Sequence, residues 1–293
     1  MARRSSLLAK AARIVTLGLL VQAGLLDAPA ALAQQPAAQA PGRGRGPAPV
    51  DPRVQMREYR FADTDETIPY AVFVSSKVRN ETRAPLIVAL HGLGGSPTSL
   101  LRGNALDLAE EGGYILVGPM GYNPRGWYGV PSTGRGRGGR GRAGGAPNND
   151  PPNLRELSEK DTMNVLALVR QAFNVDDSRT YLMGHSMGGA GTFHLAVKHP
   201  EHWAATASIA PAAFGLDPAS LSAVTGLPMM IVHGDEDTAV PVAVGRTWAE
   251  TMRELGMTHE YIEVPGGDHG NVIGIGMPDI FAFFAKHSKP ASR

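Results

Sequence analysis

The chain has 293 residues, 43% of them hydrophobic, which suits one large buried core and leaves no room for a second catalytic domain. It contains no cysteine, so disulfides and thiolate metal sites are excluded. The formal net charge is +1, but the first 33 residues hold four basic residues and one acid, and six further arginines lie in glycine-rich tracts. The remainder carries about −8, which argues against a nucleic-acid-binding surface.

The N-terminal segment has the pattern of an export signal. Four basic residues precede the apolar run at 14–21, and Ala-Leu-Ala at 31–33 provides a small-residue cleavage site. The apolar run is too short to span a bilayer, so we expect no stable membrane insertion. These features predict a signal peptide over residues 1–33 and a secreted or periplasmic mature protein. Residues 34–50, rich in Ala, Gln and Pro without a hydrophobic period, predict a disordered linker.

Strands alternate with helices through residues 51–290, the predicted catalytic domain. Two early strands, 57–61 and 70–74, are expected to be antiparallel, and continuous apolar runs indicate later strands that are covered on both faces. The later strands are predicted at 86–90, 114–117, 179–183, 204–209, 228–233 and 259–264. Helices are predicted at 99–111, from a capping box at Ser158–Asp161 onward, and at 187–199, 241–255 and 277–287. This alternation predicts βαβ crossovers and a mostly parallel, twisted sheet.

The segment from Pro131 to Pro152 interrupts this pattern with alternating glycine and arginine. Residues 136–141 fit G-x-G-x-x-G, but no strand leads into them and no helix follows, so a dinucleotide site is not expected. The composition predicts a disordered insertion within the catalytic domain. Two roles stay open, a passive solvated loop or an arginine-rich flap that attracts anionic substrates.

A nucleophile elbow is predicted at Ser186. The sequence Gly-His-Ser-Met-Gly-Gly at 184–189 follows an apolar strand and precedes a helix-like segment. A serine at such a sharp turn is held out from the sheet, and flanking glycines let the backbone turn without a Cβ clash. We therefore expect Ser186 to be the nucleophile.

An acid and a histidine follow in the order that α/β-hydrolases use, which differs from the chymotrypsin and subtilisin orders. His269 lies in a glycine-rich loop beyond the last predicted strand and is the expected base. Asp237 is the preferred acid, because a turn must form after His233-Gly234 before a side chain can point back to the histidine. Asp237 also precedes Val240-Pro241, where the next helix starts. Asp235 is the alternative.

Two backbone N–H groups are expected to form an oxyanion hole, from Leu93 in the loop His-Gly-Leu-Gly-Gly and from Met187 at the start of the helix after the nucleophile. Three histidines at strand ends are predicted to support these turns: His91, His185 and His233. Trp127 and Tyr128 are expected either to line a substrate-binding wall or to pack within their loop. No histidine spacing is typical of a zinc site, so no metal is expected.

The four motifs together resemble those of secreted bacterial α/β-hydrolases of the carboxylesterase/phospholipase and "predicted peptidase" type. The motifs are the loop at 91–95, the elbow at 184–189, H-G-x-x-D-x-x-V-P at 233–241 and Gly-Asp-His at 267–269. Polyhydroxybutyrate depolymerase-like and feruloyl esterase-like enzymes are similar too. The resemblance implies an α/β-hydrolase fold with an eight-stranded, mostly parallel sheet and helices on both faces, and serine ester hydrolysis without a cofactor.

The expected activity is cleavage of small-molecule or polymeric carboxylic esters through an acyl-enzyme intermediate. Two alternatives use the same residues, a serine peptidase of the prolyl oligopeptidase class and a polyhydroxyalkanoate depolymerase. A third, a binding protein with an inactive hydrolase fold, is disfavoured because all three catalytic residue types are present.

Overall fold

The computed structural model describes residues 49–131 and 150–290. Eight strands in this part of the chain form one sheet in the order β1-β2-β4-β3-β5-β6-β7-β8. Their bounds are β1 Gln55–Phe61, β2 Glu66–Val74, β3 Ala84–Leu90, β4 Ile115–Pro119, β5 Val175–His185, β6 Ala205–Ile209, β7 Met229–Gly234 and β8 His259–Val264. The β1–β2 and β2–β4 pairs are antiparallel and the others are parallel.

Helices cover both faces of this sheet. They are α1 Asn104–Gly112, α2 Leu154–Ala172, α3 Met187–Lys198, α4 Val242–Glu254 and α5 Asn271–Ala285, with short 3₁₀ turns at Trp127–Gly129, Pro200–His202 and Pro218–Val224. Alternate residues of β3 belong to two separate cores, one on each face of the sheet. Leu86, Val88 and Leu90 pack with α2, α3 and α4. Ile87 and Ala89 pack with α1 and α5. This alternation follows from the two-residue period of a strand, and the predicted α/β-hydrolase fold is confirmed.

The carboxyl ends of the parallel strands lie at one edge of the sheet. The loops that follow β3, β5, β7 and β8 all leave this edge, and they contain the four motifs that the sequence places at 91–95, 184–189, 233–241 and 267–269. In open α/β sheets ligands bind at this edge. The topology therefore collects the candidate site residues from distant parts of the chain.

Three predicted helix starts are wrong, and the first is that of α1, which begins at Asn104, five residues after the predicted position. The proposed capping box at Ser158 lies in the second turn of α2, where Ser158 is fully buried and its Oγ accepts the N–H of Tyr128 (3.0 Å). The last helix begins at Asn271, six residues before the predicted position. Pro278 lies inside it, and the carbonyl of Gly274, which a proline cannot bond, accepts from Asn104 Nδ2 instead (2.8 Å).

Candidate active site

The turn between β5 and α3 holds Ser186 in a conformation that few side-chain-bearing residues adopt. Its backbone angles are φ 55° and ψ −114°. A Cβ added at Gly184 would overlap the carbonyl of Gly188, and one added at Gly188 would overlap the carbonyl of Leu90. Glycine is therefore required at both flanking positions, as expected for a nucleophile elbow.

The structure brings Ser186, His269 and Asp237 into one chain of hydrogen bonds. Ser186 Oγ lies 2.9 Å from His269 Nε2, and His269 Nδ1 lies 2.7 Å from Asp237 Oδ2. Asp235 has a different partner, since its Oδ1 accepts the N–H of Gly266 (2.7 Å). With the Nδ1 proton on the Asp237 side, Nε2 of His269 is free to accept the serine proton.

Asp237 is held as an anion within the protein. Burial raises the pKa of its carboxyl, but the N–H of Val240, the ring of His269 and the N–H of Ala239 together outweigh burial and lower it. Both backbone N–H groups donate to Oδ1 at 2.8 Å. His233 supports the same turn, because its Nε2 donates to the carbonyl of Val240 (2.9 Å).

The loop after β3 lies against the elbow. A Cβ added at Gly92 would stand 3.4 Å from the Cβ of Ser186. The N–H groups of Gly94 and Gly95 donate to the carbonyls of Pro124 and Gly92, each at 2.9 Å. Within the described part of the chain the N–H of Leu93, the residue after Gly92, has no backbone acceptor. Met187, the second predicted donor, is the first residue of α3.

His185 lies between the loop after β3 and His269. Its ring centroid is 4.6 Å from that of His269, and its Nε2 donates to the carbonyl of His269 (2.7 Å). Burial lowers the pKa of His185 to about 4, and the charge of His269 acts in the same direction, so the ring is neutral at neutral pH. His185 thereby fixes the backbone that carries His269.

Tyr128 packs in the core and does not line a substrate wall. Its ring is fully buried, and its hydroxyl donates to the carbonyl of His91 (3.2 Å) in the loop after β3. Of the two roles foreseen for this residue, the structure supports loop packing. Trp127 is half-buried, and the Arg155 guanidinium lies 5.5 Å from its ring centroid. Substrate contact by Trp127 stays a prediction.

The glycine/arginine insertion lies mainly outside the described residues, as do the proposed signal peptide and nearly all of the linker. Both of its flanks are anchored. Asp150 accepts from Arg125 Nη2 (2.7 Å) and from Asn123 Nδ2 (2.9 Å), and Arg155 donates to the carbonyl of Val130.

Among residues 49–131 and 150–290, no group of three His, Cys, Asp or Glu side chains is arranged to hold a metal ion. In the same ranges no helix is both long and apolar enough to cross a membrane.

Comparisons with known proteins point to one enzyme class. Feruloyl esterase B of Neurospora crassa is 33% identical over 131 residues, which cover 43% of this chain and 39% of that protein. Cutinase 1 of Thermobifida cellulosilytica is 35% identical over 99 residues, which cover 32% and 34% of the two chains. The chain thus spans less than half the length of the curated relatives it matches.

The fold also matches solved structures. A ferulic acid esterase from Anaeromyces mucronatus, in complex with ferulic acid, superposes with a TM-score of 0.61 at 17% identity and covers 84% of this chain and 94% of that one. The model of the Esterase family, described as "Putative esterase", matches residues 64–270, well over half of the chain. The chain therefore belongs to the Esterase family and has its α/β-hydrolase fold.

Proposed function

We propose that this protein is an exported serine hydrolase that cleaves carboxylic esters through an acyl-enzyme intermediate. The observation that carries the proposal is the continuous hydrogen-bonded chain from Ser186 through His269 to Asp237 in a member of the Esterase family. Ester cleavage by feruloyl esterase and cutinase relatives supports the reaction class. No cofactor is required for this chemistry.

In the proposed mechanism, Ser186 Oγ attacks the ester carbonyl while its proton moves to His269 Nε2. The negative charge of Asp237 stabilises the imidazolium that forms, and the 2.7 Å hydrogen bond keeps the ring oriented. His269 then donates the proton to the departing alcohol oxygen, which leaves an acyl-serine. Water, activated by His269 as general base, hydrolyses this intermediate and restores the free serine.

Two backbone donors are proposed to stabilise the oxyanion of each tetrahedral intermediate. The free N–H of Leu93 lies in the loop that contacts the elbow, and the N–H of Met187 lies at the N-terminus of α3, where the helix dipole favours negative charge. Loss of one such donor typically lowers the rate by about 10²–10³.

Esters are favoured over peptides as substrates. An amide needs stronger protonation of its leaving group and extended peptide subsites, whereas the curated relatives include feruloyl esterases and cutinases. We propose both polyesters and small esters as substrates, because cutinases and feruloyl esterases are among the relatives. A peptidase and a polyhydroxyalkanoate depolymerase are the alternatives that a substrate panel separates.

Fluorophosphonate labelling tests the nucleophile directly. Wild-type protein should be labelled and should hydrolyse 4-nitrophenyl acetate, whereas Ser186→Ala should do neither and keep its melting temperature. Ser222→Ala is the matched control, since Ser222 is an exposed serine that bonds only within its 3₁₀ turn. Labelling of the Ser186→Ala variant would reject this nucleophile, and unlabelled wild-type protein would favour an inactive binding protein. A panel of feruloyl esters, hydroxyalkanoate polymer and peptide anilides then ranks the substrates.

Export is proposed from the N-terminal pattern. N-terminal sequencing of protein recovered outside the cytoplasm should begin near Gln34. Protein that keeps residues 1–33 and stays in the cytoplasm would contradict this part of the proposal.

A further inference from the structure

A cavity opens beside the proposed base. It has a volume of about 340 Å³ and lies between the start of α1 and the start of α5. Gly270, the residue that follows His269, forms part of its wall. In acyl transfer the base protonates the leaving group, so the alcohol part of an ester departs on the side of His269. Because Gly270 adjoins His269 in the chain, the cavity borders the His269 side of the site, the side on which the alcohol part of a substrate departs.

Arg102 is the one charged residue among those that line this cavity. The rest of the wall is made of glycine, apolar side chains such as Ile273 and Met277, and uncharged polar groups. The polar groups of the wall are partly committed, because Asn104 Nδ2 donates to the carbonyl of Gly274 (2.8 Å) and Asn271 Oδ1 accepts the N–H of Asp268 (2.9 Å).

The guanidinium of Arg102 is uncommitted. Its side chain is exposed, and within residues 49–131 and 150–290 it has no hydrogen-bond or ion-pair partner. Asp268 is the acid next to His269; its Oδ1 accepts the N–H groups of Gly270 and Asn271, both at 2.7 Å, and its carboxylate forms no ion pair with Arg102. Arg102 and Gly270 line the same cavity, and Gly270 follows His269 in the chain, so Arg102 lies on the His269 side of the site.

We propose that Arg102 and this cavity form a subsite for a carboxylate on the alcohol part of the ester. This inference rests on the proposed function and narrows it to a substrate class. A guanidinium presents paired N–H donors that match the two oxygens of a carboxylate, and the apolar wall suits the carbon skeleton between that carboxylate and the ester oxygen. Arg102 is thus a specificity-determining residue, and it takes no part in the bond-breaking steps.

A matched pair of substrates tests the subsite. 3-Acetoxybenzoate carries the carboxylate on its leaving group, and 3-acetoxybenzamide replaces it with a neutral amide of similar size. The measured quantity is the ratio of kcat/KM for the anionic over the neutral ester, from the absorbance of the released phenol. Arg102→Gln should lower this ratio about fivefold, the size expected for a partly exposed charge pair, mainly through a higher KM for the anion.

Two further variants keep the test specific. Arg102→Lys retains the charge and should keep part of the preference, whereas Arg102→Glu should reduce the ratio below that of Arg102→Gln. The matched control is Arg79→Gln, which removes the same charge from the turn before β3, at the opposite edge of the sheet, and should leave the ratio unchanged. Added salt should weaken the wild-type preference.

The outcomes separate the subsite from the proposed function. If neither ester is hydrolysed by wild-type protein, the proposed function fails. If both are hydrolysed and Arg102→Gln leaves the ratio unaltered, the subsite is wrong. A preference that survives Arg102→Gln but disappears on deletion of residues 134–145 would assign it to the glycine/arginine insertion instead, and would equally overturn the proposal.

Discussion

Replacing Asp237 with asparagine should disable the site through the tautomer of His269. The two oxygens of Asp237 have separate partners: Oδ1 accepts the N–H groups of Ala239 and Val240 at 2.8 Å, and Oδ2 accepts from His269 Nδ1 at 2.7 Å. An asparagine must keep its oxygen on the two backbone donors, because its amide nitrogen would face them donor to donor. Its NH₂ group is then directed at His269 Nδ1.

Two donors cannot share this contact, so the ring should move its proton to Nε2, where it can no longer accept from Ser186. The same substitution in a protease triad lowers kcat by about 10⁴, which corresponds to about 5.5 kcal/mol of activation free energy. The fold should survive, since the side-chain oxygen still satisfies both backbone donors.

The assay is hydrolysis of 4-nitrophenyl acetate by variants whose melting temperature has been checked. Asp235→Asn is the matched control, since an amide oxygen there still accepts the N–H of Gly266 and should leave kcat little changed. The tautomer argument is refuted if folded Asp237→Asn keeps more than about 1% of wild-type kcat. A larger loss in Asp235→Asn than in Asp237→Asn would move the acid to Asp235.

Three further variants test the surroundings of the site. Tyr128→Phe removes the hydroxyl that donates to the His91 carbonyl and should lower the free energy of unfolding in urea by about 1 kcal/mol. Glu159 accepts hydrogen bonds from His194 and Lys198 in α3 and from His199, which follows α3. Burial raises the pKa of Glu159, but these bonds outweigh burial and lower it to about 2. Because that pKa lies below the ordinary 4.5, the stabilisation by Glu159 is present above pH 4.5 and is lost as the pH falls toward 2. Glu159→Gln should therefore lower the melting temperature at pH 7, and its melting temperature should approach that of wild type near pH 2. Deleting residues 134–145 should leave the melting temperature unchanged in calorimetry, since the segment has no large apolar side chain; a clear decrease would show that it is structured.

The strand pattern and the edge at which the motifs meet could be predicted because they depend on local signals. Continuous apolar runs such as 86–90 identify strands buried on both faces, and parallel topology then brings their carboxyl ends together. The spacing after Gly234 favoured Asp237 because a turn must form before a side chain can point back to the histidine. In the structure the N–H groups of Ala239 and Val240 close that turn on Asp237 Oδ1.

The wrong predictions depend on long-range packing. Ser158 has the sequence signature of a helix cap, and only the burial of Tyr128 against α2 makes it an interior residue. The last helix begins earlier than predicted, and a donor from α1, Asn104, satisfies the carbonyl that Pro278 leaves free inside it. Arg102 carries no local signal at all, because its place in one cavity wall with Gly270 arises from the approach of the start of α1 to the start of α5.

The strained turn at Ser186 has a consequence for how this protein can evolve. A residue with a side chain at φ 55° and ψ −114° costs about 1–3 kcal/mol relative to a relaxed backbone, and glycine would avoid most of that cost. At position 186 the most stabilising residue, glycine, thus has no group that could act as a nucleophile. Selection for thermal stability alone would favour glycine at position 186, so the proposed nucleophile carries a cost in stability.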